Sequence, residues 1–161
     1  MGVTTGLRSA AIIQMNISDI DFEHRIIRVI EKRNKVFDVM IDDQLYQCLL
    51  NWLVDRRKYF PNVNTDALFI SNYARRLTYN GLYGMIIKYS KGIEKKITPH
   101  VMRHTCATLL YEATGDIYLT ATQLNHSSVA TTQRYADMVQ ASEEEQRRKA
   151  SSILSDVIKL E

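Results

Sequence analysis

The chain has 161 residues, 45% hydrophobic and 24% charged, with a formal net charge of +3; that suffices for one domain with a real core but not comfortably for two. No run of 18 apolar residues is present, which excludes a membrane-spanning helix, and the opening MGVTTGLRS lacks the basic and apolar regions of a secretory leader, so the expected address is cytoplasmic. Cys48 and Cys106 stand far apart in apolar contexts that read as helix interior and predict buried, reduced thiols; the four histidines are too scattered for a zinc site.

In chain order, GLRSAAIIQM has helical composition and ends at Asn16, where NISDID reads as a turn because Asn, Ser and Asp side chains compete for the helix backbone. From Arg25 to Ile41, the β-branched runs RIIRVIEK and KVFDVMI flank Arg33-Asn34 and predict a hairpin. DDQLYQCLLNWLVDRR sets Leu45, Leu49, Trp52 and Leu53 on one helical face, followed by the loop YFPNVNTD and the short apolar segment ALFIS. Thr78 is placed to cap YNGLYGMIIKYSK, and Thr98-Pro99 supplies a cap and a first-turn proline for HVMRHTCATLLYEA. Gly115 closes that helix, DIYLTATQL forms a short one, and SEEEQRRKASSILSDVI is amphipathic, with Ile153, Leu154, Val157 and Ile158 on its apolar side. Trp52 and the tyrosines at 46, 83 and 89 are expected to be core or half-buried, His24 a surface residue beside a strand, and His104 a structural hydrogen-bonder. The fold class is α+β, mainly α, with one small antiparallel β-sheet.

Charge is unevenly placed. The segment 88–103 carries Lys88, Lys91, Lys95, Lys96 and Arg103 against Glu94 alone. Such a stripe suits a polyanion, or is a solvated helix end and loop. His100 and Arg103 share a helix face one turn from an N-terminus, as a phosphate clamp would require. Read alone, the same pair also fits packing and an ordinary ion pair.

Four stretches in order, TGLRSAAIIQMNISDID, VIEKRNKVFDV, TPHVMRHTCATLL and LNHSSVATTQRYA, resemble the successive motifs of the tyrosine recombinase (phage integrase) family in its C-terminal catalytic domain. The resemblance runs from about Thr4 to Asp137 and includes non-catalytic neighbours as well as order and spacing. It implies Arg8 and Arg103 as the two catalytic arginines, His100 as the histidine opening the HxxR motif, His126 as the late histidine and Tyr135 as the nucleophile. Lys32, at the hairpin tip, matches the catalytic lysine, with Lys35 across the same turn. Lys35, Arg75, Arg76, Lys95 and Lys96 are further candidates for DNA phosphate contacts.

The implied reaction is DNA cleavage and rejoining through a 3′-phosphotyrosine. Two permanently charged arginine forks suit the negative charge gathering on the phosphate oxygens, and a phenol of pKa about 10 needs a neighbour to take its proton. No metal, nucleotide or other cofactor is implied. The partners are double-stranded DNA and, in the recombination synapse, three further copies of the protein, with a monomer expected in isolation. Residues 1–141 are expected to form the catalytic domain and 142–161 a helical tail that docks on a neighbouring protomer or packs on its own. A preceding DNA-binding domain is absent from this chain, which points to a fragment or a truncated gene. Ala11 stands where the family often has Glu or Asp, and Glu31-Lys32-Arg33 replaces a frequent Gly-Lys-Gly. A supercoil-relaxing enzyme of type IB topoisomerase kind and a non-cutting DNA-binding remnant are the competing readings.

Overall fold

The computed structural model describes residues 1–31 and 35–125, with backbone only for Glu31 and Lys35, and positions 132–133, 136–137, 139–142, 144–145 and 147–148. Lys32, the Arg33-Asn34 turn, His126, Tyr135 and the apolar residues expected on the C-terminal helix lie outside the described residues. The chain divides into two compact units, Met1–Cys106 and Ala107–Glu161. Among the described residues, no helix is long and apolar enough to cross a membrane.

The first unit opens with a short helix that the sequence did not predict, α1 (Gly2–Thr5), followed by α2 (Ser9–Gln14), which begins three residues later than the helix expected from Gly6. Gly6 ends α1: its backbone is left-handed, φ 63° and ψ 12°, a conformation that costs glycine no Cβ clash. Arg8 is extended and forms the N-cap of α2. The turn predicted at NISDID is a 3₁₀ turn over Ile17–Asp19, running into a strand too short to read from sequence, β1 (Ile20–Asp21).

The predicted hairpin is present as β2 (Ile26–Glu31) and β3 (Lys35–Met40), completing a three-stranded antiparallel sheet in the order β1-β2-β3. Ile27 pairs with Val39, and together with Val29 they face the core. On the opposite face Arg28 pairs with Asp38 across the strands at 3.5 Å. This alternation is the strand period of two, and it fixes the register through to Glu31 opposite Lys35. His24 is exposed, as expected; its backbone N–H and then its ring hydrogen-bond Asp21, holding that carboxyl below its ordinary pKa.

Helix α3 (Asp43–Tyr59) begins where Asp42 accepts a hydrogen bond from the Leu45 N–H at 2.7 Å and ends with Arg56, Arg57 and Lys58 at the negative pole of its dipole. Its predicted apolar face packs as drawn, with Leu45 and Leu49 buried in the cluster around Ile12, Ile27 and Leu68. Cys48 corrects the expectation of two buried thiols: it is exposed, beside the Leu45–Leu49–Trp52 stripe rather than under it, whereas Cys106 is buried. The Trp52 indole N–H donates to the Leu68 carbonyl at 2.8 Å. Ala67 bridges Asn16, and the Leu68 N–H donates to the Met15 carbonyl, so the short apolar segment lies against the end of α2.

Thr78 caps α4 (Tyr79–Tyr89) through the Gly81 N–H, as predicted. Tyr46, Tyr83 and Trp52 are half-buried, but Tyr89 is 76% exposed, because it ends α4 beyond the turn that buries Leu82. Thr98 caps α5 (Pro99–Thr114), whose residues from Ala107 onward belong to the second unit.

In that second unit Gly115, φ 65°, ends α5, and Asp116 accepts from the Tyr118 and Leu119 N–H groups to start α6 (Ile117–Gln123). The described positions between 132 and 148 are helical, so helix is present ahead of the predicted start at Ser142. Thr132, Ala136 and Val139 are buried at the spacing of one helical face.

Candidate active site

One backbone turn ties the two arginines together. The left-handed turn at Gly6 lies between α1 and α2 and presents the Gly6 carbonyl. Arg103, on α5, is only 7% exposed, and its Nη1 donates to that carbonyl at 2.6 Å. A buried guanidinium must find acceptors or lose far more solvation than it recovers. The Gly6 carbonyl meets part of that demand, two residues from half-buried Arg8, whose own carbonyl accepts the Ile12 N–H in the first turn of α2. Two arginines 95 positions apart in sequence are thereby tied to one short stretch of backbone.

The start of α5 sets the histidine. Thr98 accepts from the Val101 N–H through its hydroxyl and from the Met102 N–H through its carbonyl, which leaves His100 exposed in the first turn, one turn before Arg103. His104 follows Arg103 directly and lies one turn on from His100. The two imidazoles meet edge to face with centroids 4.1 Å apart and Nε2 atoms 2.5 Å apart. Two ring nitrogens at that distance need one hydrogen between them, so one Nε2 donates and the other accepts. His104 is thus a hydrogen-bonder, as predicted, and its partner is the candidate catalytic histidine itself. Sequence reading missed that pairing, although i, i+4 spacing on a helix was the available signal.

Burial pushes the Cys106 thiol above its ordinary pKa, with the Arg103 charge opposing the shift. Ala11 is buried in the hydrophobic cluster, next to Ile12 and Met15. Position 11 is therefore a packing position here: an unpaired neutral polar group in that surrounding would cost about 2–7 kcal/mol, and an unpaired ionised carboxylate far more.

The remaining candidates divide. Arg75 is exposed and its carbonyl accepts the Ser71 N–H at 2.7 Å. Lys95 and Lys96 are exposed, and the Lys96 ammonium lies 5.8 Å from the Tyr83 ring centroid, a cation–π distance. Lys35 begins β3. Arg76 differs: its guanidinium is turned onto the backbone at the end of α2, donating through Nη1 to the carbonyls of Ile13, Gln14 and Met15. Nothing in the local sequence signals that use. The structure therefore brings Arg8, His100 and Arg103 into one unit, while Lys32, His126 and Tyr135 fall outside the described residues.

Comparison with known proteins gives the arrangement its context. A family model described as the phage integrase family matches residues 1–142. Tyrosine recombinase XerD of Oceanobacillus iheyensis is 33% identical over 141 residues, covering 85% of this chain and 48% of the relative. Tyrosine recombinase XerC of Actinobacillus pleuropneumoniae is 31% identical over 137 residues, covering 84% and 44%. The crystal structure of XerA recombinase superposes with a TM-score of 0.78 at 35% identity, over 91% of this chain and 55% of that one. That of the XerH site-specific recombinase bound to its difH substrate, a pre-cleavage complex, gives 0.72 at 31% identity, over 83% and 40%. The chain spans about half the length of the curated relatives it matches. The left-handed turn before Arg8, the buried Arg103 tied to it, the helical fold with its three-stranded sheet and these matches have one common explanation: the chain belongs to the phage integrase family, with the Xer tyrosine recombinases among its relatives.

Proposed function

We propose that residues 1–141 are the catalytic domain of a site-specific DNA recombinase that cuts and rejoins DNA through Tyr135. The observation that carries the reading is the Arg103–Gly6 hydrogen bond, which fastens the second arginine of the set two residues from the first. In the proposed reaction the phenol oxygen of Tyr135 attacks the scissile phosphorus, a 3′-phosphotyrosyl bond forms and the 5′-oxygen departs. Arg8 and Arg103 receive the charge on the non-bridging oxygens, where preorganised donors in a poorly solvated place are worth most. His100 takes the phenol proton, Lys32 protonates the leaving 5′-oxygen, and His126 hydrogen-bonds the phosphate. The phosphotyrosyl bond retains the energy of the broken phosphodiester, so a 5′-hydroxyl reverses the step and the scheme needs neither metal nor nucleotide.

The substrate is double-stranded DNA; in support, XerH is seen bound to its difH substrate. Lys35, Arg75, Lys95 and Lys96 add phosphate contacts, and binding weakens steeply with salt. Strand exchange requires four protomers in a synapse, with the tail 142–161 docking on a neighbour; the isolated chain is a monomer.

A pool of duplexes of randomised sequence, each nicked so that the short strand freed by cleavage dissociates and cannot religate, tests this with the full chain. A denaturant-resistant protein–DNA adduct that disappears in Tyr135→Phe is the expected result. An adduct that persists in that variant overturns the nucleophile, and DNA binding without any adduct overturns the cutting activity in favour of a binding remnant. Relaxation of supercoiled plasmid without recombinant product would assign the same chemistry to topoisomerase action.

A further inference from the structure

From sequence Arg75 and Arg76 are equal candidates for phosphate contact or for a solvated loop, yet the two side chains are used differently. Arg75 is exposed. Arg76 Nη1 lies 3.1, 2.7 and 3.0 Å from the carbonyl oxygens of Ile13, Gln14 and Met15, and Nη2 lies 2.5 Å from the Asn16 side-chain oxygen. Those carbonyls end α2, where an α-helix leaves its last acceptors without intrahelical donors and carries its partial negative charge. A planar, permanently charged fork meets both needs at once. Asn16 extends the tie, since its backbone N–H donates to Asp19 and it bridges Ala67.

This clamp matters because α2 is only six residues long. Helices below about 12 residues do not hold themselves in water, so the geometry of α2 is imposed by what grips it. Its buried side, Ala11 and Ile12, packs on the core, and its C-terminal end is gripped by Arg76. Its N-cap residue is Arg8. Six residues at about 1.5 Å each place the clamp about 9 Å along the helix from Arg8, too far for contact and close enough for a rigid turn and a half to transmit rotation or fraying.

We propose that Arg76 is a positioning residue for catalysis: by closing the C-terminal end of α2 it holds Arg8 at the angle from which its guanidinium meets the scissile phosphate. This rests on the recombinase reading of Arg8. Displacement of a catalytic group by about 1 Å can cost a rate on the order of 100-fold without affecting binding much. Loss of the clamp should therefore appear in the cleavage step at saturating DNA and leave affinity alone.

The test compares the full-length wild type with Arg76→Gln and Arg76→Lys, each first shown to be folded by urea denaturation. Three quantities are read: adduct formation on the nicked pool at saturating DNA, duplex affinity across a salt series, and the Arg8 side-chain Nε–Hε resonance by NMR. Arg76→Gln should slow adduct formation by roughly 10- to 100-fold. It should change affinity by less than about twofold, keep the salt slope and shift the Arg8 resonance. Arg76→Lys, which restores a charged donor at the helix end, should recover part of the rate and part of the shift. Weaker binding with a salt slope smaller by about one makes Arg76 a phosphate contact and overturns the proposal. An unaltered rate overturns it too, as does an unmoved Arg8 resonance. Should the wild type form no adduct, the recombinase reading is what fails, and the Arg8 resonance alone then decides whether Arg76 sets the position of Arg8.

Discussion

Replacing Gly6 with alanine isolates what the left-handed turn contributes. Gly6 and Gly115 have nearly the same backbone angle, φ 63° and 65°, and each ends a helix. A residue with a Cβ adopts that conformation at a cost of about 1–2 kcal/mol. The sites differ in how far they can relax. At Gly115 an added Cβ meets nothing within 4 Å, in an exposed turn free to adjust. At Gly6 the carbonyl is held by Arg103, so rotating the peptide to relieve strain would strip a buried cation of an acceptor, a bond to a charged group worth about 1.5–3 kcal/mol. Gly6→Ala should therefore bear the full strain, about 1–2 kcal/mol, and lower the melting temperature by roughly 2–8 °C for a chain of this size. Gly115→Ala should cost less. Urea denaturation of both variants beside the wild type measures the two costs. A Gly6→Ala cost no larger than that of Gly115→Ala would refute the idea that Arg103 pins the turn.

The two thiols should separate by reactivity. A maleimide reagent followed by mass spectrometry should label exposed Cys48 first, while Cys106, buried and with its pKa raised, offers less thiolate at any given pH and should stay unlabelled in the folded chain; equal labelling would contradict the assigned burial. The Asp21 carboxyl, whose pKa is lowered by the His24 backbone and ring, gives a pH signature. A depressed native pKa stabilises the fold above the unfolded value of about 3.9 and loses that contribution as pH falls through the native value. The stability gap between wild type and Asp21→Ala should accordingly be present at neutral pH and narrow below the ordinary carboxylate range; a gap that widens on acidification would reverse the assignment.

Local pattern was enough for the elements whose determinants lie within a few residues. The α3 stripe of Leu45, Leu49, Trp52 and Leu53, the caps at Thr78 and Thr98 and the alternation around Ile27 and Val29 all follow from side-chain periodicity or a single hydrogen bond. Features set by distant partners were not readable. GLRSAAIIQM has helical composition, but its first residue, Gly6, belongs to a turn that also serves Arg103, far along the chain, and the helix starts only at Ser9. β1 is two residues long, and no periodicity fits in two residues. Arg76 lies next to an exposed arginine with nothing nearby to distinguish it. At the candidate site, chemistry alone left His100 and Arg103 open between a phosphate clamp and ordinary packing. The order of four motifs made them candidates, and the Gly6 contact then supplied a physical link between Arg103 and the neighbourhood of Arg8.

The hydrogen bond between Arg103 and Gly6 also bears on the order in which the chain acquires its shape. Its two ends are separated by 97 residues. At ordinary ribosomal speeds of about 5–20 residues per second, the Gly6 carbonyl waits roughly 5–20 s for its partner to be made. The hairpin β2–β3 closes over a few residues and can form early, whereas the contact between Gly6 and Arg103 carries the loop-closure cost of most of the first unit. A nascent chain interrupted before residue 103 would thus own the sheet and the Gly6 turn, but not the guanidinium that holds the turn's carbonyl.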